Sequence, residues 1–276
     1  MKQESLVEKV IYRLIRKHIS GPTMGSAIAR AKQFNGKGIP VSISFMSQPP
    51  KDRAKANYIT TTYLQLIREI SRMGIKANVH LKFEQLGQRV SDDFAIENLS
   101  QILETAKKWG VFVWCEISDP IREPILLNRL HGAQGLGVAL NSIEDAISYA
   151  KRNKGIKELK VNCRGHTEDA KEKHDSTAAS LEALAASAKS LVLHSPKEAY
   201  VSRLMKKNPK YRKSLIFEFQ LGYGEKKLNK MLKKGTRLSV YIPFGKDWAS
   251  YAMTNVPEGY TRALANRLLT EGGEGV

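Results

Sequence analysis

Two charged residues inside otherwise apolar runs are the first indication of chemistry in this sequence. Lys82 lies in "VHLKFEQLG" and Glu116 lies in "VFVWCEI", and both runs are typical of buried β-strands. A charged side chain in such a run is costly to bury unless it meets a counter-charge or a polar ligand. The pattern therefore predicts either a binding site that uses Lys82 and Glu116 or a structural ion pair between them.

A histidine and a tyrosine lie at the ends of two further apolar runs. His194 is in "SLVLHS" and Tyr241 is in "LSVYIPF". A histidine in this position can contact a ligand or can be a hydrogen-bonded residue of the interior, and the sequence favours neither. The HxH and HExxH patterns and Asp/His clusters of metal-binding barrels are absent from the sequence, which predicts that the protein has no metal site.

Short β-rich runs alternate with amphipathic helical stretches along most of the chain. Eight such repeats are typical of a (β/α)8 TIM-type barrel, and no strand is followed by the Gly-rich turn of a doubly wound sheet. We predict an α/β fold in which residues 1–35 form N-terminal helices that pack on the barrel, 36–270 form the barrel, and 271–276 form a flexible tail. The predicted strands are 39–46, 76–83, 111–117, 136–141, 158–163, 190–195, 215–220 and 238–244.

The ends of the predicted strands supply the candidate site residues, because active sites of such barrels lie at the C-terminal ends of the strands. The polar residues at these ends are Ser47, Gln48, Lys82, Glu84, Gln85, Glu116, Ser118, Asn141, Lys160, Asn162, Arg164, His166, His194, Glu218, Gln220, Tyr223 and Tyr241.

Composition and charge narrow the functional classes. The net charge is +18, but the basic residues are scattered, which is more typical of a solvated surface than of a polyanion site. No zinc finger, RNP-type motif or helix-turn-helix pattern is present, so we predict no sequence-specific nucleic-acid binding. Cys115 and Cys163 lack metal or redox spacing, and no signal-peptide core or membrane-spanning run is seen, which predicts a cytoplasmic protein. The predicted first helix, 4–19, has a basic face that permits peripheral membrane contact, although packing on the barrel is favoured.

Four segments of the sequence resemble the proline dehydrogenase family, a group of FAD-binding, distorted (β/α)8 barrels. The segments are "VHLKFEQLG", "GVFVWCEISDP", "LIFEFQLGYG" and "YIPFGKDWASY", and they occur in the family's order along residues 36 to 270. The resemblance implies a flavoprotein oxidoreductase of proline catabolism. Such an enzyme would oxidise proline to 1-pyrroline-5-carboxylate, or a related cyclic or secondary amine, by hydride transfer to FAD. A membrane quinone is the candidate electron acceptor.

The resemblance also implies roles for individual residues. Lys82, Tyr241, Tyr251 and Glu258 match residues around the substrate. Lys160, Arg164 and His166 lie in or just after the fifth strand, and we hypothesise that one of them contacts the flavin pyrophosphate. The full set of cofactor-binding candidates is Glu116, Asn141, Lys160, Arg164, His194, Gln220 and Leu221.

The chain departs from the family pattern at the position that would hold the substrate carboxylate. Thr254 and Asn255 stand where the family has a pair of arginines, and neutral side chains do not replace a bidentate guanidinium–carboxylate contact. Two alternatives therefore remain beside a dehydrogenase. One is a divergent barrel that has lost flavin chemistry and acts as a binding or regulatory protein. The other is a basic barrel that binds nucleic acid or anionic membranes through its surface.

Overall fold

A closed parallel barrel forms the centre of the protein. The computed structural model describes residues 16–130, 135–153, 158–163, 179–186, 188–196, 201, 204–206, 211 and 215–247. In these ranges eight strands pair in sequence order, and the last strand pairs with the first. The strands are β1 Val41–Phe45, β2 Ala77–Lys82, β3 Val113–Glu116, β4 Leu136–Leu140, β5 Glu158–Asn162, β6 Ser190–His194, β7 Leu215–Gln220 and β8 Leu238–Phe244. The predicted (β/α)8 TIM-type barrel is confirmed, and each strand lies within its predicted range.

Helices surround the barrel and begin and end at residues with clear local signals. Asp52, Ser91 and Ser142 each cap a helix by accepting a hydrogen bond from a backbone N–H three residues later. Gly74 and Gly110 follow two of these helices with φ of 61° and 65°, a conformation that favours glycine. The helices are α1 Met24–Asn35, α2 Arg53–Arg72, α3 Asp92–Trp109, α4 Arg122–Leu127, α5 Ile143–Arg152 and α6 Glu225–Lys233, and residues 179–186 are also helical.

One continuous apolar core lies between the strands and these helices. Val41 and Ile43 of β1 and Val79 and Leu81 of β2 are fully buried in it, together with Leu66 of α2. Successive side chains of a strand point to opposite faces of the sheet. Every second side chain therefore packs against the helices, and the others point to the inside of the barrel. The residues at these inner positions determine what the barrel can bind.

The segment before α1 crosses the C-terminal ends of the last two strands. His18 Nδ1 lies 2.8 Å from the carbonyl oxygen of Leu221, and Ser20 Oγ donates to the carbonyl oxygen of Pro243 at 2.9 Å. Helix α1 then packs against β8 and β1. Most of the predicted first helix and the whole of the predicted tail lie outside the described residues. Within the described ranges, no helix combines the length and apolar character that crossing a bilayer requires.

Candidate functional site

Polar side chains converge inside the barrel towards the C-terminal ends of the strands. Barrel interiors are usually filled by branched apolar residues, so a polar interior is a candidate for function. The side chains that contact one another there are Ser42, His80, Lys82, Trp114, Glu116, Lys160, His194, Glu218, Ser239 and Tyr241. We call this set the interior cluster.

A fully buried ion pair forms the floor of the interior cluster. Lys160 of β5 and Glu218 of β7 are 1% and 0% exposed, and Lys160 Nζ donates to both carboxylate oxygens at 3.0 Å. Lys160 Nζ also donates to Ser42 Oγ at 3.2 Å and lies 5.0 Å from the centre of the Trp114 ring. Glu218 accepts further hydrogen bonds from Ser42 at 2.6 Å and from Ser239 at 3.4 Å. Because a buried charge needs such compensation, these contacts allow both groups to stay ionised.

The protonation of this pair follows from its surroundings. Burial raises the pKa of the Glu218 carboxyl, but the Lys160 ammonium and the hydrogen bond from His194 lower it more, so the net pKa is well below its usual range. Burial lowers the pKa of the Lys160 ammonium, and the Glu218 carboxylate opposes this fall. Glu218 is therefore a carboxylate at neutral pH, with Lys160 as its counter-charge.

A second ion pair lies nearer the mouth of the barrel. Lys82 Nζ is 3.3 Å from Glu116 Oε1, which confirms the ion pair that the sequence allowed. The Lys82 side chain is nevertheless 38% exposed and lines a cavity, so the ion pair and a ligand contact are compatible. Burial raises the pKa of Glu116, but the hydrogen bond from His80 and the charge of Lys82 bring it down to about 2.

His80 connects the two ion pairs, and its contacts determine its tautomer. Its Nδ1 lies 3.3 Å from the Lys160 ammonium, which can only donate, so we assign Nδ1 as the acceptor. The proton then lies on Nε2, which donates to Glu116 Oε2 at 2.9 Å. Burial and the charge of Lys160 lower the pKa of His80 to about 4, against the opposing effect of Glu116. His80 is thus neutral near pH 7.

His194 and Tyr241 complete the upper part of the interior cluster. His194 Nδ1 lies 2.8 Å from Glu218 Oε2, and because Glu218 is ionised, Nδ1 is the donor. The Tyr241 ring lies between the two histidines, with its centre 5.2 Å from that of His80 and 5.1 Å from that of His194, edge-on to both. Tyr241 therefore holds both imidazole rings in place.

A cavity of about 360 Å³ opens above this cluster at the mouth of the barrel. Its size is within the range of small-molecule sites. Although the chain has a net charge of +18, the charged groups that line the cavity among the described residues are the three carboxylates of Glu84, Glu116 and Asp247 and the two ammonium groups of Lys82 and Lys160. This acidic balance favours a cationic or zwitterionic small molecule. No group of His, Cys, Asp and Glu side chains suited to a metal ion is found in the part of the chain that the structure describes.

Gln85 holds the wall of the cavity where the first two strands end. Its Nε2 donates to the carbonyl oxygen of Ser47 at 2.7 Å, and its Oε1 accepts from the hydroxyl of Tyr63 at 3.2 Å. Tyr63 lies on α2, so both loops are tied to the helix that joins them. This contact fixes the segment from which Lys82 projects.

Most of the predicted site residues that the structure describes line this cavity. Asn141 is anchored by donation from its Nδ2 to the carbonyl oxygen of Ile117 at 3.2 Å. The predicted residues that line the cavity are Lys82, Glu116, Asn141, Lys160, His194 and Tyr241.

The other predicted residues lie elsewhere or outside the described ranges. Leu221 is buried in the apolar core. Gln220 lies two residues after Glu218 on the same face of β7, and its Nε2 is buried without a hydrogen-bond partner among the described residues. Predicted residues outside the described ranges are Arg164, Tyr251 and Glu258, and so are Thr254 and Asn255.

Sequence reasoning missed several members of the interior cluster. Ser42, His80 and Trp114 were not candidates, and Glu218 was a strand-end residue without an assigned role. A signal was present, because His80 precedes Lys82 by two residues and Trp114 precedes Glu116 by two. Period-2 alternation puts each such residue on the same face of the strand as its charged neighbour.

Curated proteins named as proline dehydrogenases are similar to most of this chain, whereas no family model matches it. Proline dehydrogenase 1 of Bacillus subtilis is 24% identical over 261 residues, which cover 88% of this chain and 86% of that protein. Proline dehydrogenase of Deinococcus radiodurans is 23% identical over 286 residues, which cover 92% of this chain and 89% of that protein.

Solved structures of proline utilization A (PutA) share the fold. PutA from Bdellovibrio bacteriovorus, inactivated by N-propargylglycine, superposes with a TM-score of 0.73 at 14% identity over 89% of this chain. A mutant PutA from Bradyrhizobium japonicum gives 0.66 at 16% identity, also over 89% of this chain. This chain spans about a third of the length of these two proteins, 32% and 30% respectively. Over most of its length the chain is therefore similar in sequence to proline dehydrogenases, and it shares the fold of these PutA structures.

Proposed function

We propose that this protein is an FAD-dependent oxidoreductase that oxidises proline or a closely related secondary amine. The observation that carries the proposal is the acidic cavity at the barrel mouth, where Lys82, Glu116 and Tyr241 lie together. These three residues match family positions, and the similar proteins bear the name proline dehydrogenase.

The charges of the cavity suit an amino acid that carries both an ammonium and a carboxylate group. Glu84, Glu116 and Asp247 give the lining its acidic balance, which attracts the ammonium group. Lys82 has three N–H donors, one of which meets Glu116, so the others can contact a carboxylate. A zwitterionic substrate would therefore be oriented with its carboxylate towards Lys82.

The polar groups at the end of β7 and beside β4 suit the ring system of a flavin. A buried amide donor such as Gln220 Nε2 needs an acceptor, and the described residues provide none. The carbonyl groups and ring nitrogens of a flavin are acceptors of this kind, so Gln220 and Asn141 would hold the ring. When bound, the flavin supplies a hydride acceptor for the carbon next to the substrate nitrogen.

The protein's own residues bind, orient and shield the substrate. Lys82 and Glu116 fix its two charged ends, and the buried Tyr241 ring closes the floor of the cavity to water. The buried Lys160–Glu218 pair keeps the charges below the cavity in place, so that binding does not need to reorganise them.

An absorption spectrum and a thermal-unfolding assay with added FAD test the proposal. We expect a yellow protein whose melting temperature rises with FAD, because about 2.7 kcal/mol of stabilisation accompanies a ligand at 100 times its Kd. Gln220→Met should reduce this rise, whereas Gln33→Met on the exposed face of α1 should not. We also expect proline to drive reduction of an artificial electron acceptor. A colourless protein whose melting temperature does not change when FAD is added would refute the proposal.

A further inference from the structure

We infer that His194 is the base that takes a proton from the ammonium group of the substrate, and that Glu218 and Lys160 position it. This inference rests on the proposed function, and it identifies the group that prepares the amine for oxidation.

The arrangement of His194 and Glu218 is that of a carboxylate-oriented base. His194 Nδ1 donates to Glu218 Oε2 at 2.8 Å, so a neutral His194 ring has a bare Nε2. The His194 side chain lines the cavity, and in the described part of the chain its Nε2 makes no hydrogen bond. A histidine base whose other ring nitrogen donates a hydrogen bond to a carboxylate is a recurring catalytic pattern.

The other histidine of the interior cluster cannot take this role. His80 uses Nε2 to donate to Glu116 and Nδ1 to accept from Lys160, so neither nitrogen remains for a ligand. Burial and the charge of Lys160 also lower the pKa of His80 to about 4, so at neutral pH the ring is uncharged and its single proton lies on Nε2. The two histidines of this cluster therefore differ in function, and His194 is the one with a lone pair towards the cavity.

Oxidation of a secondary amine needs such a base. At neutral pH the substrate arrives as an ammonium ion, whose nitrogen has no lone pair. A hydride can leave the neighbouring carbon only when a nitrogen lone pair forms the C=N bond that replaces it. The N–H bond therefore breaks, its electron pair stays on nitrogen, and the proton forms an N–H bond with His194 Nε2. The resulting imidazolium is stabilised by the Glu218 carboxylate through Nδ1–H. This proton transfer involves no oxidation, and the oxidant of the next step is the flavin of the proposed function.

Titratable groups from five strands surround the part of the barrel that holds His194. Glu218 accepts from the His194 ring at 2.8 Å and is itself paired with Lys160, and Glu116 and Lys82 form a second pair that lines the same cavity. In the part of the chain that the structure describes, the titratable and charged groups around the cavity that His194 lines are Glu218 on β7, Lys160 on β5, Tyr241 on β8, His80 and Lys82 on β2, and Glu116 on β3, with Glu84 after β2 and Asp247 after β8.

The variant His194→Asn separates the base from its structural contact. An asparagine amide can donate to Glu218 in place of Nδ1 but has no group at the position of Nε2. We expect the melting temperature of this variant without FAD to stay close to that of the wild type, because the contact with Glu218 is kept. We expect kcat/KM for proline at pH 7 to fall about 100- to 10,000-fold, the usual contribution of a general base. The lost rate should return at higher pH, by about tenfold per pH unit, because solution then supplies the free amine directly. A purely structural role would lower the rate equally at every pH.

Three results would overturn the inference, and they are distinguishable. A His194→Asn enzyme within about threefold of the wild type, with an unchanged pH profile, would remove the base role and leave the proposed function intact. Nitrogen-15 spectra of the wild-type histidine rings provide a second measurement that needs no variant. A neutral His194 ring with its proton on Nε2 would contradict the assignment, whereas a proton on Nδ1 supports it. If the wild-type protein neither binds FAD nor oxidises an amine, both the proposed function and this inference are refuted, and no variant is needed to show it.

Discussion

Removal of the buried Lys160 ammonium should cost far more stability than removal of an exposed one. In Lys160→Met the Glu218 carboxylate would remain fully buried and lose the bidentate contact at 3.0 Å. Breaking a buried pair in this way typically costs 3–5 kcal/mol, because an uncompensated charge is left behind, and about 3 kcal/mol is expected here. The lower value applies because Glu218 keeps the donors Ser42, His194 and Ser239. For a chain of this size the melting temperature should fall by about 6–12 °C.

Urea unfolding of a double-mutant cycle tests this magnitude. The set comprises Lys160→Met, Glu218→Gln and the double variant, which has no buried charge at either position. We expect the double variant to be more stable than the sum of the single losses predicts, by about 1–3 kcal/mol. Lys37→Met is the matched control, since Lys37 pairs with Glu225 at 2.7 Å while both side chains are largely exposed. Such surface pairs contribute about 0.2–1 kcal/mol.

Two results would refute this reasoning about the buried pair. A Lys160→Met loss no greater than that of Lys37→Met would mean that Glu218 is not a buried charge. Strict additivity in the cycle would mean that Lys160 and Glu218 do not stabilise each other, whatever their distance.

Three further predictions concern pH and packing. His80 has a folded pKa of about 4, below the 6.5 of the unfolded chain, so unfolding takes up protons and stability should fall by about 3 kcal/mol between pH 6.5 and 4. Urea unfolding across this range should show that fall in the wild type and not in His80→Gln, and parallel curves would contradict the assignment. Glu116, with its pKa lowered to about 2, contributes stability above pH 4.5 that is lost as the pH falls towards 2, a loss that Glu116→Gln should lack. Gly137→Ala places a methyl carbon 2.7 Å from Trp114 Cε3, so it should cost about 1–3 kcal/mol and alter tryptophan fluorescence. An unchanged stability together with an unchanged spectrum would refute the predicted clash.

The fold was predictable because its signals are local. Short β-rich apolar runs mark the strands, and glycines such as Gly74 and Gly110 mark helix ends, so each boundary is encoded within a few residues. Eight strands that alternate with helices favour a sheet that closes into a barrel, and the pairing of β8 with β1 confirms this closure.

The candidate site was only partly predictable because its contacts cross the barrel. The strand-end rule found Lys82, Glu116 and His194, since it needs only the position of a residue along its strand. It could not show that Lys160 meets Glu218, since these residues are 58 positions apart and lie on strands that are not neighbours. That contact depends on the width of the barrel and on the stagger of its strands, which no local pattern encodes. A role of Lys160 towards the flavin remains a prediction.

The contacts of the interior cluster indicate different roles for its two parts. The lower part comprises Lys160, His80 and Glu218, and the upper part includes Lys82 and His194. Lys160 and His80 direct their polar atoms at other members of the cluster, and Glu218 accepts from four of them. Their mutual contacts fix which groups are charged, but leave them little capacity to bind a ligand. Among the described residues, Lys82 and His194 each have one hydrogen-bond or ion-pair partner in the cluster and a side chain that lines the cavity. A substitution in the lower part should therefore alter activity through the charge state of the upper part. A substitution of Lys82 or His194 should alter activity with little change in stability, and this contrast separates positioning residues from catalytic ones.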